Sequence, residues 1–169
     1  KFNKIYSGKG PIFNRLSVPR LCEELKEAVT RWPKQFVKFY DDMFFVKKEV
    51  DAWLEEFAEV YPREVGLPFF CLTRCNVLTE DVLKVLIKAG LHSLTMSIEA
   101  GNDYVRNEVI KRHMTRLQIM DAFGLCKKYG IVTFANSILG IPIKKEIMEK
   151  QNKAAIDYDI ESLDINIDA

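Results

Sequence analysis

The side chains best placed to do chemistry in this chain stand directly after, or at the ends of, apolar runs. Asp41 and Asp42 close "QFVKFYDD", Arg74 and Asn76 follow "LPFFCLT", and Glu99 and Asn102 end "HSLTMSIEAGN". Asn136 and Ser137 lie late in "IVTFANSILG", and Asp168 ends "ESLDINIDA". A carboxylate accepts hydrogen bonds from hydroxyl or ammonium groups, and a guanidinium pairs with a carboxylate or phosphate through a two-point fork. Turn formers are also common at such positions. Acids gathered there without adjacent bases are nevertheless a poor way to end strands for stability alone. The set describes a polar rim able to hold a ligand or to act as acid and base.

Other reactive residue types form weaker patterns. Cys71 and Cys75 make CxxxC without a third cysteine; Cys71 falls inside an apolar run and Cys75 follows its end. Cys22 and Cys126 fall on apolar helix faces, so all four cysteines read as core or strand-end residues, and reduced thiols are the expectation. His92 and His113 lack paired ligand spacing, which argues against a zinc site built by this chain. "SGKG" (Ser7 to Gly10) lacks the spacing of a phosphate-binding loop and reads as an ordinary loop. The aromatic run Phe36, Phe39, Tyr40, Phe44 and Phe45 reads as core, and the charges of "VKKEVDAWLEEF" as a solvated helix face.

The rim residues need elements to position them. Five runs read as strands: Gln35 to Asp42, Leu67 to Arg74, His92 to Gly101, Ile131 to Gly140 and Glu161 to Ala169. Between them lie helical patterns. Leu21, Cys22, Leu25, Ala28, Val29 and Trp32 share one face, as do Val46, Val50, Trp53, Leu54, Phe57 and Tyr61. Thr79 is an N-cap for a helix ending at Gly90, and a helix after Thr115 stops at Gly130. "NDYVRNEVIKRHM" and "IKKEIMEKQNKAAIDY" also read as helical. Strand starts recur every 25 to 40 residues or so, near the roughly 31 per βα unit of a barrel, and right-handed crossovers make such a sheet parallel. The expectation is an α/β fold, with about five parallel strands too few to close a full barrel. Ligands of such sheets sit at the carboxyl ends of the strands.

Composition excludes several classes. The 169 residues are 48% hydrophobic and 29% charged, enough for one globular domain over residues 1–169. Lys and Arg number 25 against 24 Asp and Glu, so no basic footprint points to nucleic acid. No apolar run approaches the roughly 18 residues of a membrane span, and the first residues lack the apolar stretch of a signal peptide. The expected location is cytoplasmic.

"KFYDDMFF", "PFFCLTRCNVLTEDVLKVLIKAGL", "SIEAGNDYVRNEVIKRHMT" and "CKKYGIVTFANSILGIP" together resemble successive segments of the radical S-adenosylmethionine superfamily core. They are most similar to the cobalamin-domain-containing Fe–S oxidoreductases, the group of the anaerobic magnesium-protoporphyrin ester cyclase. The resemblance covers about Arg15 to Pro142 and implies a partial TIM-type (β/α)6 barrel. The family's first strand and its CxxxCxxC loop have no counterpart in the sequence, so residues 1–18 are expected to be a loop following that motif. The resemblance implies S-adenosylmethionine and a 4Fe–4S cluster with ligands outside this chain, and a cobalamin bound by an upstream domain. It further implies reductive cleavage to a 5′-deoxyadenosyl radical, acting on a small-molecule substrate such as a tetrapyrrole. By position, Asp41 and Asp42 replace the family's Gly-Gly-Glu at the methionine amino group, and Glu99 matches the acid of "GIESG" that accepts the ribose hydroxyls. Arg112 matches the arginine facing the methionine carboxylate, Asn136 and Ser137 face the nucleoside, and Ile138 and Gly140 lie against adenine. Residues from Ile143 to Asp157 depart from the family's pattern.

Two other readings stand beside this one. A cluster-free partial-barrel α/β scaffold would bind only a ligand or partner. An ordinary barrel enzyme would use Asp41, Asp42 and Glu99 as acid or base. Open sheet edges at Gln35 to Asp42 and Glu161 to Ala169 would allow a homodimer.

Overall fold

The computed structural model describes Gly8 and residues 14–168, with side chains up to Ile165. Most of the expected loop over residues 1–18, including all of the "SGKG" stretch but Gly8, and the side chain of Asp168 lie outside those residues.

Helix α1 (Val18–Arg31) precedes β1 (Val37–Lys38), α2 (Ala52–Glu64), β2 (Phe69–Thr73), α3 (Glu80–Ala89) and β3 (Leu91–Glu99). After β3 come a π-helical turn (Val105–Val109), α4 (Arg116–Lys128), β4 (Val132–Ser137), α5 (Lys145–Gln151) and α6 (Ala155–Asp168). The strands form one parallel sheet in the order β1-β2-β3-β4. Sequential order with right-handed crossovers places the connecting helices on one face, the geometry of an opened barrel. This is the expected α/β arrangement, a partial TIM-type barrel, with four parallel strands among the described residues.

Local chemistry explains the boundaries. Asp51 accepts a hydrogen bond from the Leu54 amide at 3.0 Å, so α2 starts at Ala52 and not at the apolar Val46. Thr79 caps α3, and Gly90 ends it at φ +103°, the left-handed region open to glycine. Thr115 and Gln118 form a reciprocal capping box at the start of α4.

Three expectations are corrected. The run Glu161 to Ala169 is not a strand: its described part belongs to α6. Alternating Leu163, Ile165 and Ile167 suggested period 2, but Tyr158, Ser162 and Ile165 are the buried positions, the spacing of one helix face. Among the described residues the edges of the sheet are therefore β1 and β4. The first expected strand contributes only Val37–Lys38 to the ladder. Beyond it Phe39 and Phe44 donate to the carbonyls of Phe70 and Leu72 at 2.9 Å each, and residues 40–43 loop out between those two anchors. The helix expected over Asn102 to Met114 is reduced to the single π-helical turn, ended by Lys111 and His113 at φ +62° and +53°.

The core lies between the helices and one face of the sheet. Phe69 of β2 meets Phe39, Phe44, Phe57 and Tyr61, with ring centroids 5.5 to 5.9 Å apart. Burial of such rings contributes about 1.5–3 kcal/mol each. Phe36 stays half-buried and Tyr40 exposed, so the aromatic run is core only in part. Among the described residues no helix is long and apolar enough to cross a membrane.

Candidate functional site

Glu99 is the last residue of β3, where parallel pairing places it opposite Ser137 of β4. Its backbone is left-handed, φ +69°, and its carbonyl accepts from the Ile138 amide at 2.8 Å. That conformation costs a non-glycine residue roughly 1–2 kcal/mol. Its side chain pairs with Arg112 at 3.2 Å, with Glu99 17% and Arg112 26% exposed. A part-exposed ion pair contributes about 0–1 kcal/mol and cannot by itself hold the bend. The bend is held by the sheet register and by the loop downstream of it.

That loop is sewn shut by a buried arginine. Arg106 is fully buried. Its Nη1 donates to the carbonyls of Ala100 and Gly101 at 2.8 and 3.0 Å, its Nε donates to the Met114 carbonyl at 2.9 Å, and its Nη2 pairs with Asp103. Asn107 grips Met114 from both sides, accepting from its amide at 2.9 Å and donating to its carbonyl at 3.0 Å. The segment carrying Arg112 is thus tied at both ends to the residues beside Glu99, and the chain turns back so that Arg112 faces the strand end.

Arg74, directly after β2, completes the cluster. Its Nη2 donates to the carbonyl of Arg112. Burial, and then the neighbouring positive charge of Arg112, lower the Arg74 guanidinium below its ordinary range. Glu99 pairs with Arg112, and its charge also acts on Arg74. Arg74 Nε, Arg112 Nε and Asn76 Oδ1 are buried without hydrogen-bond partners, which is costly unless a ligand or solvent meets them. Two guanidinium donors in this state fit an anionic ligand, whereas Asn76 lines a different cavity with Glu80 and Gln118.

The other expected site residues spread around this centre. Ser137 and Ile138 join it through register and the Ile138 amide. Asn136, opposite Ser97, lines a cavity of about 440 Å³ with Phe70, Thr95 and Phe134 on the face of the sheet. Gly140 is exposed at φ +71°, and its amide donates to Asp159 at 2.9 Å. Asp41 lines a separate cavity of about 270 Å³ with Arg15, Phe44 and Trp53, and Asp42 is exposed in the excursion beside it. Asn102, a rim residue, has a structural part: its Oδ1 accepts from the amides of Tyr104 and Val105, and its Nδ2 donates to Glu161 of α6. Gly101 fits there because a Cβ would meet the Glu161 carbonyl oxygen at 2.0 Å. Its amide donates to Ser162 Oγ at 2.9 Å.

Sequence reasoning missed Arg106, which it placed on a helix, and it left Arg74 on the rim without a role. The signal for Arg74 was its place directly after an apolar strand. For Arg106 only the two left-handed residues downstream, invisible in the sequence, show that the chain must be held.

The iron–sulfur cluster implied by the resemblance does not fit the described residues. No group of three or more His, Cys, Asp or Glu among them is placed to hold a metal ion. Cys22, Cys71, Cys75 and Cys126 are all free and buried, as the core reading expected. Burial pushes Cys75 and Cys126 up to about 12 and raises Cys71 and Cys22 as well, whereas iron binds the thiolate.

Comparison with known proteins gives two findings. The Radical SAM superfamily model matches residues 3–150. An uncharacterized methyltransferase of Pyrococcus horikoshii is similar, with 27% identity over 148 residues, 86% of this chain. The match takes in 31% of that protein, so the chain spans about a third of the relative's length.

Proposed function

The chain belongs to the radical SAM superfamily, and from that membership we propose that its strand-end cluster is part of the seat for S-adenosylmethionine in a radical enzyme. The observation that carries this reading is the Glu99–Arg112 pair at the carboxyl end of β3, set among buried donors without partners. Glu99 accepts the two ribose hydroxyls, a task suited to an ionised acceptor, and Arg112 meets the methionine carboxylate. Asn136 and Ser137 face the nucleoside, and Ile138 with Gly140 lies along the adenine. Asp41 and Asp42 receive the methionine ammonium, which calls for the excursion at residues 40–43 to swing toward the strand ends.

Superfamily membership implies S-adenosylmethionine and a 4Fe–4S cluster in general, and the chemistry they supply is one-electron cleavage of a sulfonium. The described cysteines do not fit that cluster, so the part assigned here is binding and orientation. The reaction of the whole protein is proposed as oxidoreductase or cyclase chemistry, with cobalamin and a tetrapyrrole as the motifs suggest. Methyl transfer, after the name of the relative, is the second reading. A methylated product against a dehydrogenated or ring-closed one separates the two.

The site is tested by S-adenosylmethionine binding to the full-length protein. Glu99→Gln keeps the shape and removes the charge, and a charge-assisted hydrogen bond is worth about 1.5–3 kcal/mol. Affinity should fall about ten- to a hundredfold. A Glu99→Gln variant that binds as tightly as the wild type would sink the reading and leave the cluster-free scaffold or, if activity is lost all the same, the ordinary barrel enzyme.

A further inference from the structure

We propose that Arg74 is the positioning residue for Arg112, and that it thereby sets how well the site discriminates a ligand bearing a carboxylate. The inference rests on the proposed role of Arg112 at the methionine carboxylate and adds a residue to it.

The backbone around Arg112 is unusual on both sides. Lys111 and His113 are left-handed, at φ +62° and +53°. Each such residue costs roughly 1–2 kcal/mol and persists only where the surroundings over-determine it. The surroundings do so at both backbone groups of Arg112. Its amide donates to the Arg106 carbonyl at 2.9 Å, and its carbonyl accepts from Arg74 Nη2. A residue pinned at both its N–H and its C=O has a fixed Cα–Cβ direction, so only side-chain torsions remain for Arg112 to adjust. Arg106 supplies one pin from within the loop. Arg74 supplies the other from the end of a neighbouring strand, 38 residues away in sequence.

Stability alone does not account for an arginine in this place. It sets a second guanidinium beside Arg112, and both keep a buried Nε without a partner, while among the described residues Glu99 is the carboxylate that pairs with Arg112 and whose charge acts on Arg74. Like charges brought together under partial burial are unfavourable until an anion joins them. A neutral side chain could hold the Arg112 carbonyl without that penalty. The residue present both fixes the carbonyl and leaves a surplus positive charge where a carboxylate would arrive, and this points to ligand discrimination and not only to loop closure.

The test compares S-adenosylmethionine with its decarboxylated analogue in the full-length holoprotein, as the ratio of the two dissociation constants. Arg74→Met removes the pin, Arg74→Lys keeps a donor and the charge, and Arg112→Met removes the partner itself. Arg74→Met should weaken S-adenosylmethionine about tenfold, the scale of one hydrogen bond from a charged donor, and change the analogue less than about twofold. Arg74→Lys should recover most of the loss, and the double variant Arg74→Met with Arg112→Met should be no worse than Arg112→Met alone. If Arg112→Met leaves the ratio at its wild-type value, the reading of Arg112 fails and this inference fails with it. If Arg112→Met collapses the ratio while Arg74→Met and Arg74→Lys do not shift it, the functional reading stands and Arg74 is overturned. Equal loss of both ligands in the Arg74 variants also overturns it, because a purely structural part predicts that pattern.

Discussion

Arg106 carries more of the local geometry than any residue the sequence singled out. Each of its guanidinium nitrogens has a partner, among them the carbonyls of Ala100, Gly101 and Met114. Replacing it by leucine keeps bulk but leaves the buried carbonyls of Ala100, Gly101 and Met114 without their donor, while the exposed Asp103 turns to solvent. Each buried carbonyl left without its donor costs about 1–3 kcal/mol. Arg20, exposed and paired with Glu23 and Glu24, offers the contrast, since surface pairs are worth about 0–1 kcal/mol. Urea denaturation should show a large fall in midpoint for Arg106→Leu and little for Arg20→Leu; equal shifts would remove Arg106 from its place as the loop's fastener. The place of Glu99 at a strand end was legible from the apolar run before it, and Arg112 was singled out only by the motif it sits in. Arg106 was not legible, because a helical pattern around "YVRNEV" gives an arginine a solvent-facing explanation.

Among the elements, those with caps written into them were legible. Thr79 and Thr115 mark helix starts by accepting from the amide three residues on, and Gly90 ends α3 through its backbone in the left-handed region, signals that depend only on neighbours in sequence. Where long-range contacts decide, the reading failed: α6 is a helix whose buried Ser162 is satisfied by the Gly101 amide, 61 residues away. The side-chain link between α3 and α4 has a pH signature. Tyr129, at the end of α4, hydrogen-bonds Glu80 in the first turn of α3, and Lys128 adds a second bond at 3.0 Å. The hydrogen bond from Tyr129 first, and Lys128 next, bring the Glu80 carboxyl from an ordinary 4.5 to about 2. A carboxyl lowered on folding stabilises the native state fully above its unfolded value and loses that contribution as pH falls toward its folded value. The gap in urea midpoint between wild type and Glu80→Gln should therefore be constant above about pH 5 and shrink between about pH 4.5 and 2. A gap that does not vary with pH would mean that Glu80 does not join the helices through its charge.

At the scale of the whole molecule, strands in the order β1-β2-β3-β4 make the two faces of the sheet unequal. One face carries the fully buried Phe69, Cys71, Leu94 and Met96. The other carries Phe134 and Val132, 53% and 48% exposed, around the 440 Å³ cavity that Asn136 also lines. Alternation along each strand made this arrangement partly legible, but a sequence does not say which face the crossover helices will cover; strand order and handedness decide that. The asymmetry predicts a difference between two identical substitutions. Phe69→Ala empties a site ringed by Phe39, Phe44, Phe57 and Tyr61 and should cost about 3–5 kcal/mol. Phe134→Ala loses mainly one edge contact with Phe70 at 6.3 Å and should cost about 1 kcal/mol or less. Denaturant midpoints of the two variants measure the difference directly. Similar costs would mean that both faces are packed and that there is no interior for a ligand beside the strand ends. A large difference leaves the Phe134 face free to serve the cluster at Glu99, since β4 carries Phe134 and Asn136 on that face and reaches Glu99 through Ser137.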